Sequence, residues 1–292
     1  MSSFIQLLVS GLENGIAYGL VGLALVLIFQ TSRALNFAQG TMAAFCGYVA
    51  FELIVTRGFS WVIGAIGATI VGAVLGLGVE RIAIRPLLGA PLLSLVIATL
   101  AIDAILGNVT QRLWGADVKN LPAPMGGDDW NVGSIVIGRT YVIIAIITLT
   151  LLALIAYMLK HTRIGLAMRA FADDQFAAEL QGVKPQTVSR TVWMISAAIG
   201  GITGVLFGPL LFVQLGYMSP IFIKGFTAAV LGGFVSTSGA VLGGLLMGVL
   251  EALAVRYTSA SIAPMLPLLV ILVALLVRPT GVFNRKLATR RA

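Results

Sequence analysis

The chain alternates long apolar runs with short polar breaks. A helix needs about 20 mostly apolar residues to cross the hydrocarbon core of a bilayer. Runs of this length or slightly less occupy residues 4–29, 37–55, 60–80, 92–112, 139–159, 191–213, 221–236, 239–257 and 262–278. They are continuous, whereas the strands of a membrane barrel alternate apolar and polar residues. The pattern therefore predicts an all-α, polytopic transmembrane helix bundle with about nine membrane segments, within a range of eight to ten.

The composition excludes most other classes of protein. Hydrophobic residues make up 59% of the 292 residues and charged residues 10%, whereas soluble domains average about 25% charged residues. The net charge of +8 is explained by basic loops on one side of a membrane, so we expect no nucleic-acid partner. With one cysteine and one histidine, we expect no disulfide framework, no metal site, no cofactor and no catalytic group.

The basic residues set the expected orientation, because Lys and Arg concentrate in cytoplasmic loops. With the N-terminus outside, thirteen of the 19 basic residues fall inside and six outside. This arrangement predicts one transmembrane domain over 1–292, with a periplasmic loop at about 113–138. It places a loop at about 160–190 and a basic tail at 279–292 in the cytoplasm. The short run 221–236, with Lys224 at its start, then counts as a crossing, although its length also suits a broken or re-entrant helix.

Many of the 34 glycines are spaced four residues apart, which lines up small residues on one face of a helix. The sets are Gly11/Gly15/Gly19, Gly72/Gly76, Gly200/Gly204/Gly208, Gly239/Gly243 and Gly244/Gly248. Such faces let helix backbones approach closely inside a membrane. We predict tight packing within the chain, with sliding faces or a subunit interface as the alternative.

Several polar residues fall within or near the apolar runs: Glu13, Asn14, Glu52, Asp103, Asn108 and Glu251. Charges at such depth usually face a bundle interior or a water-filled path. Asp103 is the deepest, and it either lines a path or bonds a neighbouring helix. The carboxylates show no basic partner within the runs, which disfavours a proton relay.

The polar stretch 31–40 interrupts two strongly apolar runs. One interpretation is a cytoplasmic turn in which Asn36 caps the next helix. The other is a discontinuous helix whose break faces a translocation path.

The cytoplasmic loop 160–190 contains the signature of a short helix. Asp173 or Asp174 can cap its start, and Gly182 followed by Pro185 suits its end. Phe176, Ala177 and Leu180 then share one face of a helix of about eight residues. An apolar face outside the bilayer needs a partner, which is either the membrane surface or a cytoplasmic protein.

The chain resembles a known family in three places: the segment Asn36-Phe37-Ala38-Gln39-Gly40, the loop from Gly165 to Val183, and the glycine-rich run that follows. These segments are similar to those of the inner-membrane permeases of branched-chain amino-acid ABC transporters, and the resemblance covers nearly the whole chain. It implies a permease, not an enzyme, that imports leucine, isoleucine and valine through the bacterial inner membrane. The chain has no G-x-x-x-x-G-K-[ST] stretch, so partner subunits would hydrolyse the ATP.

The resemblance also implies partners and site residues. The partners would be cytoplasmic ATP-binding subunits, a second homologous permease, a periplasmic solute-binding protein and membrane lipid. Asn36, Gln39 and Asp103 are our candidates for the substrate path. The coupling helix that fits the ATPase would involve Arg169, Asp173, Asp174, Phe176, Ala177, Ala178, Glu179, Leu180 and Gly182.

Three rival functions follow from the same residues. The first is a related importer of urea, short amides or another small polar solute. The second is an ion-coupled transporter or channel that uses Glu13, Glu52, Asp103 and Glu251 without ATP. The third, an intramembrane enzyme, has no His, Cys or Ser–Lys pair placed for catalysis.

Overall fold

The structure is a computed structural model that describes residues 2–124, 130–132, 135–257, 263–278 and 281. Most of the basic tail 279–292 and part of the loop 113–138 lie outside the described residues, and the predictions made for those parts lie there with them.

Eleven helices and one β-hairpin follow one another along the described chain. The longer helices are α1 (Ser2–Ser32), α2 (Gln39–Phe51), α3 (Trp61–Val79), α4 (Leu92–Trp114), α5 (Arg139–His161), α8 (Pro185–Leu211) and α10 (Thr237–Tyr257). The shorter helices are α6 (Arg163–Asp173), α7 (Gln175–Leu180), α9 (Ser219–Leu231) and α11 (Leu266–Val277). A π-helical turn extends α2 over Glu52–Thr56, and another extends α3 over Glu80–Ile84. Short 3₁₀ turns occupy Arg85–Leu87 and Ala263–Met265.

The all-α, polytopic fold class is confirmed. Seven of the described helices are long and apolar enough to cross a membrane. The other two apolar runs form the shorter helices Ser219–Leu231 and Ala263–Val277. At 1.5 Å per residue, the 13 residues of α9 reach about 20 Å, less than the roughly 30 Å hydrocarbon core. The count of nine crossings therefore stays a prediction.

The described residues form two compact units, each built from separate parts of the chain. The first unit comprises 1–26, 125–149 and 220–292, and the second comprises 27–124 and 150–219.

In the first unit, α1 and α10 pack antiparallel at their glycines. A Cβ atom at Gly248 would lie 2.2 Å from the carbonyl oxygen of Gly11, and one at Gly244 would lie 2.2 Å from the amide nitrogen of Gly19. Only glycine permits this approach, so the prediction of tight packing within the chain is confirmed for these faces.

In the second unit, α3 and α8 pack antiparallel in the same way. A Cβ atom at Gly72 would lie 2.7 Å from the carbonyl oxygen of Ala197, and one at Gly76 would lie 2.3 Å from that of Trp193. On another face of α8, a Cβ at Gly204 would meet the carbonyl oxygen of Ala43 on α2. The helix α8 is therefore the centre of this unit, clamped between α2 and α3.

Two features belong to the side predicted to be periplasmic. Within the loop 113–138, an antiparallel hairpin pairs β1 (Trp130–Val132) with β2 (Ile135–Ile137). Lys119 and Val213 exchange two backbone hydrogen bonds of 2.9 Å, and so connect the segment after α4 to the segment after α8. Both segments were placed outside by the distribution of basic residues, and their pairing agrees with a shared side.

Candidate functional site

The cytoplasmic loop 160–190 folds into α6, α7 and the start of α8. Thr162 caps α6, and its hydroxyl oxygen accepts a hydrogen bond of 3.1 Å from the Gly165 amide. A side chain at Gly165 would collide with the backbone of Met158 and Leu159. The glycine therefore lets α6 fold back directly against the end of α5, where Arg169 donates a 3.3 Å hydrogen bond to the Lys160 carbonyl.

The short helix α7 begins and ends where the sequence indicates. The Asp174 carboxylate accepts a 3.0 Å hydrogen bond from the Ala177 amide, so Asp174 is the cap and Asp173 is the last residue of α6. At the other end, Gly182 has φ +83° and donates to the Glu179 carbonyl over 2.9 Å. The helix has six residues, fewer than the expected eight.

The apolar face of α7 points away from the protein. Phe176 is 73% exposed and Leu180 72%, and Ala177 is exposed beside them. Ala178, on the opposite face, is 4% exposed and packs towards the body of the unit. Glu179 is exposed and accepts a hydrogen bond of 3.1 Å from Gln175, one turn away. The arrangement presents two large apolar side chains on a firmly capped helix.

Within the polar stretch 31–40, the side chains of Asn36 and Gln39 hydrogen-bond to each other and to neighbouring backbone groups. Asn36 accepts from the Ala38 amide over 3.1 Å and donates to Gln39 over 2.9 Å, and Gln39 donates to the Ser196 carbonyl over 2.9 Å. Asn36 and Gln39 are each 1% exposed.

The prediction that Asn36 caps the next helix is wrong, because residue 38 holds that position. A turn at 37–38 intervenes, so the Asn36 side chain closes this turn and does not reach the first amides of α2.

Asp103 occupies a different position from the other two candidates for the substrate path. It is partly exposed on α4 and accepts a hydrogen bond from the Thr41 hydroxyl on α2. The interpretation that Asp103 bonds a neighbouring helix is therefore confirmed, and its role in a path stays a prediction. The structure thus brings Asn36 and Gln39 together but gives Asp103 a separate partner.

A partly buried ion pair was missed by the sequence interpretation. Lys224 on α9 donates to the Glu251 carboxylate on α10 over 2.5 Å, and Tyr18 on α1 contacts both. The prediction that the carboxylates lack a basic partner within the apolar runs is wrong for Glu251. The sequence pattern puts Lys224 at the start of the apolar run 221–236, whereas in the structure it is the sixth residue of α9 and lies inside the helix. Glu52 also has a basic neighbour, Arg57, at 3.4 Å, at the exposed end of α2.

The family is decided by a comparison with known proteins. A family described as branched-chain amino acid transport system permease components matches residues 7–276. The chain belongs to this family. It is therefore the permease subunit of an ABC importer in the bacterial inner membrane.

Several curated relatives match the permease over nearly its whole length. It is 31% identical to a high-affinity branched-chain amino acid transport system permease protein, LivH, of Salmonella typhimurium, over 97% of this chain and 96% of the relative. It is 30% identical to the protein of the same name from Escherichia coli, with the same coverage. A probable branched-chain amino acid transport permease from Methanocaldococcus jannaschii is 29% identical over 93% of this chain and 91% of its own.

A solved structure shares the fold. The permease superposes on a chain of PsaBC from Streptococcus pneumoniae, solved in complex with Fab, with a TM-score of 0.50 and 15% identity. The match covers 96% of this chain and 94% of the other. At this identity the likeness concerns the fold alone.

Membership of this family sets aside two of the rival functions. The family comprises transport permeases and is not an enzyme family, and its members associate with ATP-binding and solute-binding components. An ion-coupled transporter that works without ATP does not fit.

Among the described residues, no group of three or more His, Cys, Asp or Glu side chains could hold a metal ion.

Proposed function

We propose that this permease passes leucine, isoleucine and valine into the cell. The observation that carries this proposal is the branched-chain amino acid transport named for relatives that match along nearly the full chain, from Salmonella, Escherichia coli and Methanocaldococcus. A related importer of urea or short amides is the competing proposal.

We propose that α7 is the element through which ATP hydrolysis drives the permease. A helix capped at both ends moves as one piece, and its exposed Phe176 and Leu180 offer an apolar anchor pair to a cleft. In protein interfaces, a few side chains that fill well-packed, desolvated pockets supply most of the binding energy. Closure of the ATPase pair would pull on α7 and, through α6 and α8, on the membrane helices.

The remaining partners follow from the same proposal. A solute-binding protein would deliver the amino acid to the periplasmic side, and a second homologous permease would complete the path. The path would pass near Asp103, the partly exposed candidate, whose carboxylate suits the ammonium group of an amino acid. Asn36 and Gln39 are satisfied by each other and by Ser196 in this conformation. They would contribute only after α2 and α8 have moved apart.

Uptake measurements test the proposed substrate directly. The permease, co-expressed with the ATPases, second permease and binding protein of its own system, is reconstituted into liposomes that contain ATP. We expect labelled leucine to accumulate only with enclosed ATP, and unlabelled isoleucine and valine to compete while urea and acetamide do not. Accumulation of urea or acetamide without leucine uptake would contradict the proposed substrate.

A further inference from the structure

A cavity of about 560 Å³ opens at the predicted cytoplasmic end of the second unit. This volume is within the usual range of small-molecule sites, about 300–1,000 Å³. One wall comes from the end of α1 and the turn before α4, and the other from the α6–α7 junction and the start of α8. The cavity therefore lies next to α7, whose first residue, Gln175, forms part of its wall.

The lining has one charge, which is positive. Arg33 is exposed, it contributes to the wall, and no described carboxylate lies within ion-pair distance of it. Residue 33 has φ +52°, a conformation that few residues other than glycine adopt. Around it, the apolar side chains of Leu88, Leu92, Leu95 and Phe171 form much of the remaining wall. A ligand for this cavity carries an anionic group and a compact apolar group.

A buried polar group on the wall supports a ligand here. Ser189 lines the cavity and is 3% exposed, and its hydroxyl oxygen has no hydrogen-bond partner. Buried polar side-chain atoms in native proteins almost always have a hydrogen-bond partner, so a partner for this hydroxyl is expected from outside the chain. Behind it, the register that pairs Gly76 with Trp193 places Glu80 opposite Ser189, one turn further along. Glu80 is 1% exposed, and one of its carboxylate oxygens also lacks a partner.

We infer that this cavity is a cytoplasmic binding site for the imported amino acid, and that its occupation slows transport. The carboxylate of the ligand would bind Arg33, and its aliphatic side chain would lie against Leu88, Leu92, Leu95 and Phe171. The ammonium group would lie on the Ser189 side. A ligand that contacts both walls would hold the start of α7 against α1 and α4, and so oppose the movement that the ATPases impose. This inference rests on the proposed amino-acid substrate.

Uptake into preloaded liposomes tests the regulatory effect in the complete transporter. We expect millimolar leucine inside the liposomes to lower the initial rate of leucine uptake at least about fivefold, the lower end of typical allosteric coupling. In Arg33→Gln the internal leucine should have little effect, while uptake into empty liposomes stays at the wild-type rate. Equal inhibition of the wild type and Arg33→Gln would overturn the inference while leaving the substrate proposal intact.

Labelling tests occupation without relying on uptake or on a variant of Arg33. Gln186→Cys lies on the cavity wall, and Thr187→Cys, the next residue, is also exposed but outside it. The native Cys46 is buried and should not react. In complexes in nanodiscs, leucine should slow maleimide labelling of Gln186→Cys and leave Thr187→Cys unchanged. Absence of protection by leucine, isoleucine and valine overturns the inference, whatever the uptake shows.

Lipid is the other source of an anionic, apolar ligand, and the same assay separates the two. The labelling is repeated in nanodiscs of phosphatidylcholine alone and with added phosphatidylglycerol. Protection by leucine in both supports the amino-acid site. If Gln186→Cys is protected only when phosphatidylglycerol is present, and leucine has no effect, the cavity binds a lipid headgroup and the inference is overturned.

Discussion

Lys224 and Glu251 form an ion pair of 2.5 Å between α9 and α10, and both side chains are only 16% exposed. Tyr18 donates to the second carboxylate oxygen over 2.9 Å and accepts from Lys224 over 3.1 Å. Three helices of the first unit thus share one polar contact. The contact therefore helps to hold the short helix α9 against α1 and α10.

Removing one residue of the Lys224–Glu251 pair should lower the stability of the protein more than removing both. Lys224→Met leaves the partly buried Glu251 carboxylate without its cation, with the Tyr18 hydroxyl still donating to it. Removing one partner of a buried pair typically costs about 3–5 kcal/mol. We place this variant near the lower value because the pair is partly exposed. The double variant Lys224→Met/Glu251→Leu should recover much of the loss, as an apolar replacement often does. Thermal unfolding of the complex in detergent measures both, and an unchanged midpoint in Lys224→Met would show that the pair contributes nothing.

The glycine contacts between α1 and α10 predict a clear contrast between two identical substitutions. Gly248→Ala adds a methyl group 2.2 Å from the Gly11 carbonyl oxygen, whereas Gly78→Ala meets nothing within 4 Å. Overpacking of this kind costs about 1–3 kcal/mol, so Gly248→Ala should lower the yield of folded protein and its unfolding temperature. Gly78→Ala should match the wild type or exceed it slightly, since alanine favours helix. Equal behaviour of the two would refute the close approach.

The capping residue of α7 should control coupling more than transport capacity. Asp174→Ala removes the bond to the Ala177 amide and should weaken the helix by about 1 kcal/mol, while Asp174→Asn keeps an acceptor. We expect Asp174→Ala to hydrolyse ATP with less uptake per ATP, and Asp174→Asn to behave almost normally. Hydrogen exchange over 175–181 provides the structural measurement. If Asp174→Ala speeds exchange but leaves the uptake per ATP hydrolysed unchanged, the cap does not contribute to coupling.

Asp103 offers a test of the proposed path. Asp103→Asn keeps an acceptor for Thr41 but loses the charge, and Asp103→Leu loses both. If the carboxylate meets the ammonium group of the substrate, both variants should slow leucine uptake by at least tenfold, about 1.4 kcal/mol. If Asp103 only joins α4 to α2, Asp103→Asn should transport normally while Asp103→Leu is less stable. Initial uptake rates and unfolding midpoints, measured on the same preparations, separate the two roles.

Local patterns were sufficient for much of this fold. The nine apolar runs each became a helix, since span length and hydropathy are properties of neighbouring residues. The start and stop of α7 were also predictable, because Asp174 and Gly182 act on amides and carbonyls within one turn. The exposed face of Phe176 and Leu180 followed from their spacing.

Contacts between distant residues were not predictable. Lys224 finds Glu251 27 residues away and Tyr18 206 residues away, and nothing in the local sequence signals either pairing. Likewise, Asn36 was expected to cap α2, but its partners depend on the turn at 37–38 and on Gln39. The cavity beside Arg33 combines four separate segments of the chain, so only the folded chain reveals it.

Site-specific photo-cross-linking at Leu180 tests the central claim, that an ATPase subunit grips α7 during import. A photoreactive amino acid replaces Leu180 in one complex and Leu113, which is 62% exposed at the predicted outer end of α4, in a control. During leucine uptake, we expect the Leu180 position to form an adduct with an ATP-binding subunit and the Leu113 position to form none. An actively importing complex that gives no such adduct from Leu180 would contradict the account.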